Sequence, residues 1–199
     1  MNRNLRISAV FAPALLVASC ASPSYYSPVE VTRFTSAPAS TLPRGPIGVR
    51  AAPGEDPADP AYAVYQTAVV EQLDAAGFQV AGGAAPYTAL IDIERWVEQP
   101  GGQRSPVSVG GGASTGSFGS GVGLGVGIDL SPPDPERIET ELAVSIRPSA
   151  GGDAIWEGRA RFTATANSEY ADLTAAATRM AAALFEGFPG NSGETIEVQ

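Results

Sequence analysis

Asp92 and Glu94 are the best candidates in this chain for carboxylate chemistry. They lie two residues apart in the alternating segment Tyr87 to Val97, so both project from one face of a predicted strand. Two neighbouring carboxylates can perturb each other's ionisation or hold a hard cation. The alternative, which we favour, is that they belong to a solvated outer face of the sheet.

Missing residue types exclude most other catalytic chemistry. The chain has no histidine and no lysine, and all twelve of its basic residues are arginine. Without histidine it lacks the usual general base and the usual zinc ligand. Without lysine it lacks Schiff-base chemistry and the lysine of the phosphate loop. We therefore assign no catalytic, cofactor-binding or metal-binding residue, and we expect a protein that is not an enzyme.

A signal for export and lipidation stands at the start of the chain. An apolar run of twelve residues, Ile7 to Ala18, follows the basic residues Arg3 and Arg6. A membrane span needs roughly 20 apolar residues, so this run is typical of a cleaved signal peptide. The run ends in a sequence that resembles the lipobox recognised by the lipoprotein signal peptidase, and this sequence consists of Val17, Ala18, Ser19 and Cys20.

Cys20 is the only cysteine, and the lipobox predicts that its thiol carries the lipid. Cleavage before Cys20 and acylation would fix the protein to a membrane, because two buried acyl chains already give stable anchoring. Ala21, rather than an aspartate, favours the outer membrane, with the protein facing the periplasm. Lipidation would leave no thiol for disulfides. The alternative is a secreted protein with an incidental cysteine.

The charge balance of the chain limits its partners. Removal of the signal leaves ten arginines against 21 acids, a net charge near −11. Such a charge repels nucleic acid and anionic lipid headgroups, so we expect no nucleic-acid partner. A soluble surface is the simplest reading, and an acidic face for a basic partner is the sharper alternative.

The sequence predicts one folded domain between two short flanking segments. Residues 1–19 form the signal peptide and residues 20–27 a lipidated tether. Residues 28–190 form a single domain, which contains a glycine-rich insertion over residues 101–127. Residues 191–199 are predicted to be a flexible tail.

The order of predicted elements is β-β-α-β-β-loop-β-β-α. The first helix is the clearest, with Asp59 as N-cap, Pro60 at its first position and Gly77 at its end. The last helix is predicted from the N-cap Ser168 to Gly187. These elements favour an α+β fold, with a single mixed or antiparallel sheet, two helices packed on one face, and a glycine-rich hairpin insertion.

A hairpin precedes the last helix. Its two strands alternate from Ile138 to Ile146 and from Trp156 to Phe162, with a glycine-rich turn between them. The alternation predicts that Trp156 faces the core and that Arg159 and Arg161 project from the outer face.

The insertion over residues 101–127 contains 11 glycines and one charged residue, Arg104. Alternation of glycine with Val122, Leu124 and Val126 predicts a strand, which would pair with a partner strand containing Val107. The insertion lacks the phosphate-loop pattern and the calcium β-roll repeat. A long flexible hairpin is the simplest interpretation, and a membrane-inserting glycine zipper and an interaction hairpin are the alternatives.

Several segments together resemble bacterial lipoproteins that carry domain of unknown function 4136. The resemblance covers roughly Val29 to Phe185 and depends on structural motifs. These are the lipobox, the segments Tyr26 to Phe34, Ala75 to Val80 and Ala89 to Ile93, the glycine-rich stretch, and Ile155 to Ala160. It implies a small α/β envelope lipoprotein without an established activity, in which the lipidated cysteine is the only functional residue.

Three functions are compatible with these observations. The first is a non-enzymatic binding or assembly module of the bacterial envelope, anchored in a membrane through Cys20. Its partner would be an envelope protein, or another copy bound through the glycine-rich hairpin. The second is an auxiliary lipoprotein of an envelope lipid or small-molecule transport system. The third, which we rank last, is a hydrolase centred on Asp92 and Glu94.

Overall fold

Two helices cover one face of a seven-stranded sheet in the larger of the two units that the chain forms. The computed structural model describes residues 22–36, 42–99, 107–116, 119–128 and 134–199. The larger unit comprises residues 23–104 and 134–199, and the smaller one residues 1–22 and 105–133.

The predicted fold class is confirmed for the larger unit. The strands among the described residues are β1 (Val29–Thr35), β2 (Pro46–Ala51), β3 (Gln79–Val80), β4 (Tyr87–Glu98), β5 (Val107–Gly116), β6 (Gly119–Ile128), β7 (Arg137–Pro148), β8 (Trp156–Thr165) and β9 (Glu194–Val198). The helices are α1 (Pro60–Ala75) and α2 (Leu173–Phe185). The sheet of the larger unit has the order β3-β2-β4-β7-β8-β1-β9. It is mixed because β2 runs parallel to β3 and β4, while the other pairs are antiparallel.

The ends of α1 lie where the sequence predicts them. The Asp59 carboxylate accepts a hydrogen bond from the Ala61 amide at 2.8 Å, and Pro60 is the first helical residue. At the other end Gly77 has a φ of +91°, which favours glycine. The Phe78 amide then donates to the Leu73 carbonyl at 3.0 Å, which closes a Schellman motif.

The predicted start of α2 is wrong by one turn. Ser168 begins a short 3-10 turn over Glu169–Ala171, and its side chain makes no capping hydrogen bond. The N-cap of α2 is Asp172, whose carboxylate accepts from the Ala175 amide at 2.9 Å. A carboxylate at this position also interacts favourably with the positive end of the helix dipole, which a serine hydroxyl does not do. Gly187 follows the last turn with a φ of +64°.

Both flanking segments are more ordered than the sequence predicts. Within the predicted tail of residues 191–199, Glu194–Val198 forms β9 and pairs with β1 along the edge of the sheet. Ile196 and Val198 alternate with the polar residues Thr195 and Glu197, a pattern that suits an edge strand. The end of the predicted tether, residues 25–27, is hydrogen-bonded to β8.

Trp156 lies at the centre of the core, as predicted. Its ring stacks on Phe185 with centroids 5.4 Å apart and contacts Phe188 at 5.0 Å. The indole N–H donates to the Pro189 carbonyl at 3.0 Å. The indole needs the space above Gly158, because a Cβ built there would overlap the indole and lie 2.8 Å from Leu184.

We predict that Gly158→Ala destabilises the protein by about 2 kcal/mol, because the added methyl group overpacks the contact between Trp156 and α2. The matched control is Gly48→Ala in β2, where a new Cβ would meet its nearest atoms at 3.8 Å. The control should change the free energy of unfolding by no more than about 0.5 kcal/mol. Urea unfolding measures both variants, and equal stability of the two would contradict this account of the core.

The side chain of Arg33 connects β1 to the end of α2 through hydrogen bonds. It points to the helix side of the sheet with Val29 and Val31, and it is buried. Its guanidinium donates to the carbonyls of Leu184 and Ala183 at 3.0 and 2.9 Å. These carbonyls belong to the last turn of α2, where a helix lacks its own donors and favours a cation.

The charge of Arg33 is held in a buried environment. Burial lowers the pKa of its guanidinium, and the charges of Glu186 and Glu194 oppose that shift. Gly190 lies directly against the same side chain, where a Cβ would approach the guanidinium to 2.7 Å. The segment between α2 and β9 is therefore built around Arg33.

Replacing Arg33 with methionine should destabilise the protein by about 2–3 kcal/mol, because the Ala183 and Leu184 carbonyls lose their donors while they stay buried. Arg50→Met is the matched control, since Arg50 is an exposed arginine on β2. We expect it to stay within about 0.5 kcal/mol of wild type in urea unfolding. Loss of similar size in both variants would show that general charge, and not the helix end, explains the effect.

In the smaller unit, the backbones of β5 and β6 pair antiparallel. Val107 lies opposite Ile128 at one end of the ladder, and Gly116 lies opposite Gly119 at the other. The remainder of the glycine-rich segment, residues 101–106 and 117–118, lies outside the described residues.

Candidate functional site

The face of the sheet that the helices leave uncovered is the candidate functional site, and we call it the open face. Its side chains alternate with the buried ones along each strand, so one period-two pattern builds both the core and this face. The open face surrounds a concavity of about 580 Å³. The main lining residues are Glu30, Thr32, Phe34, Leu90, Asp92, Ala143, Ser145, Arg147, Glu157, Arg159 and Arg161.

A row of charged residues crosses four strands of the open face. Strand register places Glu94 of β4 opposite Glu141 of β7, and Glu141 opposite Arg161 of β8. Arg161 in turn lies opposite Glu30 of β1. Cross-strand neighbours on one face lie about 5 Å apart, close enough for their charges to interact.

Glu141 is the centre of this row. One carboxylate oxygen lies 2.9 Å from Nε of Arg159 and the other lies 2.6 Å from Nε of Arg161. The hydrogen bond and the charge of Glu141 raise the pKa of Arg161. Both arginine side chains stay more than half exposed, so the pairs contribute little stability and mainly fix where the guanidiniums lie.

Arg147 adds a third guanidinium to the open face. Its Nη2 donates to the Ser145 hydroxyl at 3.1 Å. Its Nε is buried and has no hydrogen-bond partner among the described residues. In the lining of the concavity the three arginines are matched in number by the acids Glu30, Asp92 and Glu157, so neither sign of charge dominates there.

Phe34 gives the open face an apolar point of contact. It is 54% exposed, although it belongs to a strand whose other face is fully buried. Strand register places Phe34 opposite Glu157 on β8, and Glu157 opposite Ser145, which lies opposite Leu90. Phe34, Leu90 and the nearby Pro53 line the same concavity. An exposed aromatic ring among charged groups is a common centre of protein recognition.

The structure brings the predicted acids to the open face without enclosing them. Asp92 lines the concavity, while Glu94 lies one step farther along β4 and is exposed. The prediction that both share one face of a strand is confirmed. Within the described residues, no group of three or more acidic, cysteine or histidine side chains could hold a metal ion.

Sequence reasoning placed Arg159 and Arg161 correctly but missed Phe34 and Arg147. The segment Val29 to Phe34 contains the signal for Phe34, because alternation from Val29 and Val31 puts Arg33 inside and Phe34 outside. No short-range sequence signal could predict that Arg147 lines the same concavity, because its position there depends on the order of the strands in the sheet.

The predicted lipidation site lies outside the described residues, with Cys20 and the preceding Val17, Ala18 and Ser19. Among the described residues, no helix has the length and apolarity needed to cross a membrane.

Comparison with known proteins gives one short sequence match. No protein-family model matches the chain. A stretch of 63 residues, 32% of the chain, is 41% identical to an uncharacterised protein of Zymomonas mobilis. The matched stretch spans 24% of that protein, so about three quarters of its length lies outside the match.

Solved structures give only distant similarities. The PelC dodecamer from Paraburkholderia phytofirmans has a TM-score of 0.45 and 13% identity, over 82% of this chain and 99% of that chain. A PDZ domain protein from Parabacteroides distasonis has a TM-score of 0.47 and 11% identity, over 87% of this chain and 38% of that chain. Similarities at this level carry no information about function.

Proposed function

We propose that this protein is a lipid-anchored lipoprotein of the bacterial envelope that acts as a non-enzymatic binding or assembly module. The lipobox before Cys20 supports the anchor, and Ala21 supports an outer-membrane location facing the periplasm. The observation that carries the binding role is the open face, where the exposed ring of Phe34 lies among ordered arginines and acids.

The open face suits binding better than catalysis. The chain lacks histidine and lysine, so acid–base chemistry would depend on carboxylates such as Asp92 and Glu94. These two lie along an open strand surface, where water has free access. Closure of an active site against water strengthens its electrostatic interactions, and an open strand surface offers no such closure.

A protein surface of mixed charge is the partner that fits the open face best. Affinity would come mainly from Phe34, because buried aromatic anchors dominate the energy of protein interfaces. Register and specificity would come from Arg147, Arg159 and Arg161 together with the acids between them. An excess of one charge, as nucleic acid requires, is absent from the lining residues of the open face.

The glycine-rich segment over residues 101–127 is proposed as a hairpin that adds a second contact. Flat glycine-rich strands specify their register weakly and leave backbone edges that can pair with another chain. Such a hairpin would bind a partner strand or a second copy of the protein.

Transport of lipid is less well supported than protein binding. A carrier would need an apolar groove between the helices and the sheet. In the described part of the chain, rings fill this layer near α2, where Trp156 stacks on Phe185 and Phe185 stacks on Phe188. Membership of the family with domain of unknown function 4136 stays a prediction.

A photo-crosslinking amino acid placed at Phe34 tests the binding role in living cells. We expect a crosslinked adduct of defined mass with an envelope protein. The matched control is the same amino acid at Glu71, an exposed residue of α1 on the helix side of the sheet.

The control position should give no adduct of that mass. The proposal would be wrong if position 34 gave no adduct, or if position 71 gave the same adduct with equal yield.

A further inference from the structure

Four exposed apolar residues gather at one end of the sheet. Tyr25, Tyr26, Trp96 and Val97 are between 43% and 58% exposed, and they are four of the six large apolar side chains exposed in the described part of the chain. A concentration of exposed apolar side chains at one end of a charged domain makes that end a candidate interaction site. We call it the aromatic end.

Strand register places these residues at the same end of the sheet, although they come from distant parts of the sequence. Val97 lies opposite Ile138, Ile138 lies opposite Ala164, and Ala164 forms a β-bridge with Tyr26. Four neighbouring strand positions span about 15 Å at the usual strand spacing. Trp96 is next to Val97 on the opposite face, so the aromatic end continues around both sides of the sheet.

The chain is held firmly where it reaches the aromatic end. The Tyr25 carbonyl accepts from the Thr165 amide at 2.8 Å, and the Tyr25 amide donates to the Thr165 hydroxyl at 2.9 Å. The Tyr26 ring lies edge-on to Tyr170 at 4.9 Å and 5.3 Å from the Arg179 guanidinium. Arg179 lies over the Tyr170 ring as well, so a cation–π cluster fixes the start of the domain.

The length of the tether sets the distance from this end to a membrane. Tyr25 is the fifth residue after Cys20, and five extended residues reach at most about 18 Å. An acylated Cys20 would therefore hold the aromatic end close to the bilayer surface. Tyr and Trp side chains are enriched in this headgroup zone, because their rings are apolar and their tips form hydrogen bonds.

We propose that the aromatic end rests on the surface of the bilayer that holds the lipid anchor, with Tyr25, Tyr26, Trp96 and Val97 in the headgroup zone. This inference depends on the proposed lipidation of Cys20. The charges near this end have both signs, since Glu98 lies opposite Arg137 and Arg179 lies over the Tyr26 ring. They give the aromatic end no preference for charged headgroups, so zwitterionic lipid is the surface that fits. The strands then stand up from the membrane.

The fluorescence of Trp96 tests this arrangement directly. The chain has two tryptophans, and Trp156 is buried. The full lipidated protein is placed in phosphatidylcholine vesicles with or without bromine at the headgroup end of the acyl chains, which quenches by near contact the tryptophans that reach the interface. We expect loss of the Trp96 emission in brominated vesicles, and no such loss in Trp96→Phe.

A tryptophan at the far end of the open face is the matched control. Strand register aligns Phe34 with Ser145 of β7 and Trp96 with Glu139 of β7. These two β7 positions are six residues apart, so Phe34 and Trp96 are separated by about 20 Å along the strand direction. In a Trp96→Phe background, Phe34→Trp should therefore give emission that bromine does not quench. Quenching at both positions would overturn the upright arrangement.

Intact-mass measurement of the same sample separates the two proposals. An acylated protein whose Trp96 is not quenched overturns the membrane contact and leaves the lipoprotein proposal standing. A protein without acyl chains overturns both proposals.

Discussion

The buried guanidinium of Arg33 is the interaction on which the rest of the structure depends. It supplies donors to the last carbonyls of α2, and this fixes the helix against β1 from a position 150 residues away in sequence. Because side chains of a strand alternate, an inward Arg33 forces Phe34 outward. One contact therefore holds the second helix in place and exposes the aromatic ring that we propose as the centre of binding.

Local signals predicted much of this fold. Asp59, Pro60 and Gly77 bounded α1 because capping and a positive φ depend on adjacent residues alone. The strand β9 was missed because its hydrogen bonds go to β1, more than 160 residues earlier, and nothing local distinguishes it from a frayed tail. The start of α2 was misplaced because serine and aspartate are both favourable N-cap residues, so Ser168 and Asp172 are equally acceptable in sequence. Only the 3-10 turn between them shows that the helix begins after Asp172.

The candidate site was predictable only where it depends on the local pattern of each strand. Alternation alone placed Asp92, Glu94, Arg159 and Arg161 on the outer face. It could not give their neighbours, since the row from Glu94 to Glu30 exists only once β4, β7, β8 and β1 are side by side. The inward position of Arg33 could not be predicted either, because a buried guanidinium needs hydrogen-bond acceptors. Its acceptors are the carbonyls at the end of α2, which lie far away in the sequence.

The central proposal is the acyl chain on Cys20, which would anchor one end of the sheet to a membrane and leave the proposed binding face above it. Metabolic labelling of cells with a clickable fatty acid tests that claim most directly. We expect label on the wild-type protein and none on Cys20→Ser, which should accumulate as the unprocessed precursor. An unlabelled wild-type protein, or a labelled Cys20→Ser protein, would contradict it.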